Sequence, residues 1–367
     1  MKTSLKFILT SGFLIGLILN CACISNLYAE EQLKEGLYYE KLDKKVVHCH
    51  ICPRNCVIPD GKRGFCGVRE NRGGTLYALS YGRLVAIHLD PIEKKPLFHF
   101  LPGSYAFSIA TAGCNFRCKF CQNWEISQRK PDEVDYSYIE PQDLIKKVKE
   151  SGSYIIAYTY TEPTIFYEYM LDVAKLAKKE GIRNIMHSCG YINEKPLRAL
   201  AKYLDAANID LKGFSEDYYA KISEGSLGPV LAALKILKEE GVHVEITNLV
   251  LPGYNDDPGM ITRMCLWIKD NLGADTPLHF SRFFPSYKLL SLNPTPVSTL
   301  EKARRIALDC GLKYVYIGNV VGNPAENTYC PRCKKIVVER SGYTVLEVNL
   351  KNGRCKFCGE KIEGVWK

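Results

Sequence analysis

A chain of 367 residues, 46% of them hydrophobic, is too long for one average domain and apolar enough to bury a core, which excludes a disordered polypeptide. Its formal charge of +9 comes from lysines interleaved with acids, as in KKVKE and KILKEE; such patterns read as solvated helix faces and speak against a concentrated nucleic-acid surface. Sixteen cysteines, most of them in tight groups, point to bound metal, because disulfide frameworks belong to small secreted domains.

At the N-terminus, Lys2 and Lys6 precede an apolar run from Phe7 to Leu19, and Ala29 offers a cleavage site. That order is the order of a signal peptide or anchor, here residues 1–30. Thirteen apolar residues are short for a span that needs roughly 20. Because cluster assembly needs a reducing compartment, the expected location is cytoplasmic, with the leader placing the chain at or across the membrane as the competing reading.

Residues 31–105 hold Cys49, Cys52, Cys56 and Cys66 among short extended stretches such as TLYALSYGRLVAIHLD. This predicts a small, strand-rich, metal-bound cap. Four thiolates satisfy either zinc or an iron–sulfur cluster. His48 and His50 are spare ligand candidates, with exposed loop histidines as the plainer reading.

From about Tyr105 the texture changes. Short apolar runs at 107–112, 154–158, 184–187, 206–211, 243–250, 278–283 and 314–317 alternate with helix-period segments at 141–150, 165–180, 194–204, 227–240, 258–272 and 298–310. Gly181, Gly241 and Gly311 close three of those helices. Strand–helix alternation means a parallel sheet with right-handed crossovers. Six or seven such units make an α/β core, a partial (β/α)6-type barrel over 106–323, with its site at the C-terminal ends of the strands.

The stretch GCNFRCKFCQN follows the first of these strands and carries Cys114, Cys118 and Cys121. Electron-transfer [4Fe-4S] clusters take four cysteines, so three leave one iron open, and an open position marks a catalytic metal. Residues 324–367 then form a C-terminal module in which Cys330-Pro331-Arg332-Cys333 and Cys355-Lys356-Phe357-Cys358 flank a β-rich middle, the pattern of a zinc ribbon.

CxxxCxxC with Phe120 before its last cysteine, placed after the first barrel strand, resembles the radical S-adenosylmethionine (SAM) superfamily. The resemblance implies that the open iron binds the amino and carboxylate groups of SAM. Tyr160-Thr161-Glu162-Pro163 stands where the superfamily usually carries Gly-Gly-Glu-Pro, and Asp210-Leu211-Lys212 resembles the Asp-x-Lys of glycyl-radical-enzyme activases. Ser188-Cys189-Gly190-Tyr191 stands where Thr-Asn-Gly-Tyr is common, so Cys189 replaces an amide; a buried, inert thiol is the reading there. By resemblance Glu162, Asp210, Lys212 and His279, the last read as ending the sixth strand, contact SAM, and Phe120 packs against its adenine.

With CHICPRNC, GFCGVR, EPTIFYEY, LVLPGYND, HFSRFFP and YVYIGNV in order, residues 36–360 are similar to the AmmeMemoRadiSam-system radical SAM enzymes, relatives of the pyruvate formate-lyase activating enzymes. That family implies reductive cleavage of SAM to a 5′-deoxyadenosyl radical and hydrogen abstraction from a substrate the residues do not name, a protein if the activating enzymes are the guide. It also implies a flavodoxin or ferredoxin as electron donor, and Memo-like and AMMECR-type proteins as partners. Two other classes compete: a non-catalytic iron–sulfur electron carrier and a zinc-ribbon nucleic-acid-binding protein.

Overall fold

The computed structural model describes residues 33–367, so the leader read at 1–30 lies outside the described residues. Among the described residues no helix is long and apolar enough to cross a membrane.

The cap holds a three-stranded sheet of β1 (Tyr39–Lys41), β2 (Val47–Cys49) and β3 (Val57–Ile58), followed by the hairpin β4 (Arg69–Arg72) and β5 (Thr75–Ala78), to which Lys34–Glu35 adds a short antiparallel edge. The core is a single sheet built from β6 (Ala86–Pro91), β7 (Tyr105–Ala110), β8 (Ile155–Tyr158), β9 (Arg183–Ser188), β10 (Ala206–Asp210), β11 (His243–Val250), β12 (Leu278–Arg282) and β13 (Val315–Gly318). The strands lie in chain order across it, with β7 to β13 parallel. The interleaved helices are α1 (Pro141–Glu150), α2 (Tyr167–Lys179), α3 (Glu194–Ala201), α4 (Leu227–Glu239), α5 (Pro258–Leu272) and α6 (Val297–Asp309).

Local chemistry sets these boundaries. α5 starts where the Asp257 side chain accepts the Met260 N–H and Pro258 occupies the first turn, a position at which a missing N–H costs nothing. α4 ends at Gly241, whose φ of 76° lies in the left-handed region that glycine adopts without strain. β8 is buried along its whole length, as expected for a parallel strand covered on both faces.

Two features depart from the expected division. Ala86–Pro91, inside the stretch that reads as the cap, is instead the eighth strand of the core sheet, hydrogen-bonded antiparallel to β7 from Ala86↔Ala110 to Pro91↔Tyr105. Alternating extended sequence looks alike in a cap and at a sheet edge, and only the partner decides. The C-terminal segment carries the expected hairpin, β15 (Ile336–Ser341) and β16 (Thr344–Val348), preceded by β14 (Thr328–Tyr329). It does not stand apart, however. Arg340, in β15, donates to the Phe98 carbonyl at 2.7 Å and to Thr328 Oγ1 at 2.8 Å, while Val365 exchanges backbone hydrogen bonds with His99 and Leu101. Residues 33–367 are one compact unit.

Candidate active site at the mouth of the barrel

The chain leaves β7 through Ala112 and Gly113. Gly113 has a φ of +98°, and a Cβ there would sit 2.5 Å from Val68 Cγ1 and 2.9 Å from the Cys66 carbonyl, so only glycine fits between the cap and the loop that follows. That loop is clamped on its other side. Arg117 N–H donates to the Ser223 carbonyl, Lys119 N–H to Ile222 and Asn115 Nδ2 to Tyr191, each within 3.0 Å. The held loop presents Cys114, Cys118 and Cys121 to one cavity of about 410 Å³ at the C-terminal ends of the strands. Cys114 and Cys118 are buried, and burial raises both thiols, Cys118 to about 11.

Opposite the thiols stands a charged group. His187 Nε2 donates to Asp210 Oδ1 at 2.9 Å, and Lys212 Nζ donates to Asp210 Oδ2 at 2.9 Å. Burial alone would push the Asp210 carboxyl up, but Lys212 and His187 hold it well below the usual carboxylate range. Lys212 resists burial in the same way: Asp210 keeps its ammonium charged. Its Nζ lies 5.5 Å from the centre of the Phe120 ring, so Phe120 and Lys212 share one wall. His187 is not among the residues the motifs single out. Its signal is the register: His187 pairs with Asn208, two residues before Asp210 on the adjacent strand, and interior positions alternate with a period of two.

Glu162 and His279 line the same cavity, with the Glu162 carboxylate and the His279 Nε2 already engaged. The Glu162 carboxylate accepts from Ser188 Oγ at 2.7 Å, Cys189 N at 2.6 Å, Thr164 Oγ1 at 2.7 Å and Thr164 N at 3.2 Å. It fixes the loop after β9 rather than reaching into the open space. His279 is the second residue of β12 and not its end, a correction to the expected position. It stands in register with Thr247 and, through it, Asp210; its Nε2 donates to Glu245 at 2.7 Å and its ring stacks on Tyr316 with centroids 4.9 Å apart. Cys189 does line the mouth, and burial raises its thiol well above the ordinary value, in keeping with an inert cysteine.

The departure from Gly-Gly before Glu162 has a structural answer. Tyr160 adopts a φ of 62°, the conformation that favours glycine, at a cost of about 1 kcal/mol or more. Its hydroxyl donates to Asp90, Lys95 Nζ sits 4.4 Å over its ring, and Asn123 Nδ2, from the cysteine loop, grips its carbonyl at 2.7 Å. The glycine-like backbone turn survives because these contacts over-determine it.

The mouth suits a buried iron–sulfur group. The Tyr218 hydroxyl is buried without a hydrogen-bond partner and stands close enough to sense the charge of Cys118. The donor set itself fits such a group: three cysteine thiols on one loop, two of them buried, share the cavity.

The other thiols form two further sets. Cys330 and Cys358 Sγ lie 3.5 Å apart, Cys333 and Cys355 Sγ 3.7 Å, and all four fall within 4.8 Å of one another. Tetrahedral zinc with Zn–S near 2.3 Å sets thiolates about 3.8 Å apart, so this set has the geometry of a four-thiolate zinc site. In the cap, Cys49, Cys52, Cys56 and Cys66 wall a separate small void together with Arg69 and Asn115. His48 and His50 take no part in it. Flanking Cys49, they meet Glu40 at 3.1 and 3.3 Å on the exposed side of the strand.

Residues 108–264 match the Radical SAM superfamily. An uncharacterized protein of Methanocaldococcus jannaschii is 49% identical over 333 residues, covering 90% of this chain and 99% of that protein. The pyruvate formate-lyase 1-activating enzyme of Escherichia coli K12 is 24% identical over 226 residues, covering 56% of this chain and 89% of the enzyme. A solved domain of the pyruvate-formate lyase-activating enzyme from Bacteroides vulgatus aligns at 16% identity with a TM-score of 0.39, over 44% of this chain and 98% of that one. Residues 108–264 thus form a Radical SAM domain, and pyruvate formate-lyase activating enzymes are among the chain's relatives.

Proposed function

We propose that this chain is an activating-enzyme-like radical SAM enzyme whose [4Fe-4S] cluster is held by Cys114, Cys118 and Cys121. The observation that carries the reading is the meeting of these three thiols with the His187–Asp210–Lys212 group in one cavity at the mouth of a parallel barrel. When bound, the cluster supplies the electron that cleaves SAM to methionine and a 5′-deoxyadenosyl radical, which takes a hydrogen atom from substrate.

The chain's own residues bind, orient and exclude water. Lys212 is a permanent cation suited to the carboxylate of SAM, and Asp210 a permanent anion suited to an amine or a hydroxyl. Phe120 gives the adenine an apolar wall. Glu162 acts at one remove, as a positioning residue that sets the backbone of Cys189. His279 supports the floor of the cavity. Burial of Cys114 and Cys118 keeps water from the reacting centre.

The same reading takes a protein as the hydrogen donor, by analogy with the activating-enzyme relatives, and a reduced flavodoxin or ferredoxin as electron source. It places the work in the cytoplasm, where such donors are kept reduced. The Memo-like and AMMECR-type proteins are partners only as far as the similarity to the AmmeMemoRadiSam-system enzymes extends. For the C-terminal set of four cysteines we propose structural zinc, supported by the thiol spacing of 3.5 and 3.7 Å.

The test is anaerobic reconstitution of the full chain with iron and sulfide, followed by SAM and dithionite. Formation of 5′-deoxyadenosine and methionine is expected. A protein that carries the cluster yet leaves SAM intact under these conditions would be an electron carrier, and the proposal would fall.

A further inference from the structure

We propose that Cys49, Cys52, Cys56 and Cys66 hold a second, fully ligated four-iron cluster, and not zinc. This goes beyond the reading of the barrel mouth, from which it borrows only a yardstick of spacing.

Three cysteine sets in one chain provide an internal scale. Four thiolates on one zinc converge on a point, which brings every pair to about 3.8 Å. The C-terminal set comes close to this, with two pairs at 3.5 and 3.7 Å and all four thiols within 4.8 Å of one another. Among the described residues, three or more metal-ligating side chains come within 4.8 Å of one another in only two places, the C-terminal thiols and Glu40 with His48 and His50. The cap thiols are not among them, and neither are Cys114, Cys118 and Cys121. Cap spacing therefore goes with the cysteines of the barrel mouth and against the zinc-like set.

The cap thiols are nevertheless neighbours. All four wall one void. Thiols that surround a common space without converging on its centre suit an object larger than an ion. A four-iron cube takes one thiolate on each iron, so its ligands stand at separate corners. Ile51, Ile58 and Ile165 make part of the wall apolar, while Arg54 and Arg69 bring positive charge that suits an anionic cofactor.

Full ligation leaves no open iron, so the chemistry of this site is storage and passage of single electrons. Its place fits that task. Asn115, between Cys114 and Phe116, belongs to the wall of the void, and Arg54, in the cap loop, donates from Nε and Nη2 to the Asn115 carbonyl at 3.0 Å. Arg117 reaches back to the Phe65 carbonyl, and both guanidinium groups cover the Phe65 ring, at 3.8 and 4.2 Å. The two cysteine loops are thus packed back to back.

The experiment is metal analysis with Mössbauer spectroscopy on the anaerobically reconstituted full chain and on C114S/C118S/C121S. We expect about eight irons and one zinc per wild-type chain, and about four irons with one zinc in the triple variant, all in four-iron clusters. Wild-type protein with about four irons and two zincs overturns the proposal without any variant, and so does a triple variant that folds but holds no iron. Failure of the barrel-mouth reading looks different: about four irons in the wild type that persist in the triple variant. That pattern would leave the cap cluster standing.

Discussion

The mouth and the floor of the barrel both bury a carboxylate among cations and histidines, yet they use it differently. At the mouth Asp210 holds two partners, His187 and Lys212, and both Asp210 and His187 keep a quarter of their side-chain surface exposed. At the floor Glu245 is fully buried and saturated. Oε1 takes the His99 N–H and His243, while Oε2 takes the Phe98 N–H and His279, all within 3.1 Å. Both carboxyls lie below their usual range, so the direction of the shift does not separate a site from a scaffold. What separates them is unspent hydrogen-bonding capacity facing open space. Glu245 instead knots together the cap segment at Phe98 and His99, two core strands and, through the Arg340 bond to the Phe98 carbonyl, the C-terminal segment.

Substitutions sharpen this contrast. Cys118→Ala, at the mouth, should lower 5′-deoxyadenosine formation by a factor of about a thousand or more, because the cluster loses a ligand, while the urea midpoint moves little. Glu245→Ala, at the floor, should do the reverse. It leaves His243, His279 and two backbone donors buried without an acceptor and should cost about 3–5 kcal/mol in urea unfolding. Turnover per folded molecule should survive, and a Glu245→Ala protein of wild-type stability without activity would erase the distinction. Asp210→Asn keeps the shape of the mouth and removes its anion. We expect SAM cleavage to fall about 10- to 100-fold, a transition-state loss of about 1.4–2.7 kcal/mol, with stability changed by less than Glu245→Ala changes it.

The same contrast explains what is legible in the sequence. The mouth is built from strand ends, each carrying its motif within a few residues. The Cys114 loop, Glu162 and Asp210–Lys212 are therefore assignable to one place from the order of residues alone. Elements with strong periodicity are legible too: 243–250, 141–150 and 258–272 coincide with β11, α1 and α5. The floor is not legible, because its partners are far apart in the chain. Glu245 lies 146 residues from His99, and Arg340 lies 242 from Phe98, and no local pattern encodes such pairs. His279 does line the mouth cavity, but its bond to Glu245, 34 residues away, is another partner that no local pattern encodes. The strand Ala86–Pro91 reads as cap sequence because its pairing with β7 is a tertiary fact.

The smallest expected effect is a pH dependence that belongs to the floor alone. His99 is fully buried. With a neutral ring, Nδ1–H donates to the Glu363 carbonyl at 2.6 Å and Nε2 accepts from the Tyr316 hydroxyl at 2.5 Å. A second ring proton would have only the Tyr316 hydroxyl oxygen as acceptor, with the Tyr316 proton turned to Thr328 Oγ1, and no carboxylate on the ring to stabilise the charge. Burial accordingly drives His99 down to about 4, against the pull of Glu245. In the unfolded chain the same imidazole titrates near 6.5. Between these values the unfolded state binds a proton that the native state refuses, so stability rises with pH across that window. The contribution is fully present above about pH 6.5 and is lost as the pH falls toward 4. Between pH 6.5 and 5.5 the loss amounts to about 1 kcal/mol. Glu245, with its depressed carboxyl, adds a separate loss that begins as the pH falls into the ordinary carboxylate range, about 4.3, and continues below it. His99→Gln keeps a donor and an acceptor but does not titrate, so it should flatten urea-unfolding stability between pH 6.5 and 5.5 relative to wild type, whatever its absolute value. An unchanged slope in this variant would mean that the floor histidine is not held neutral by burial.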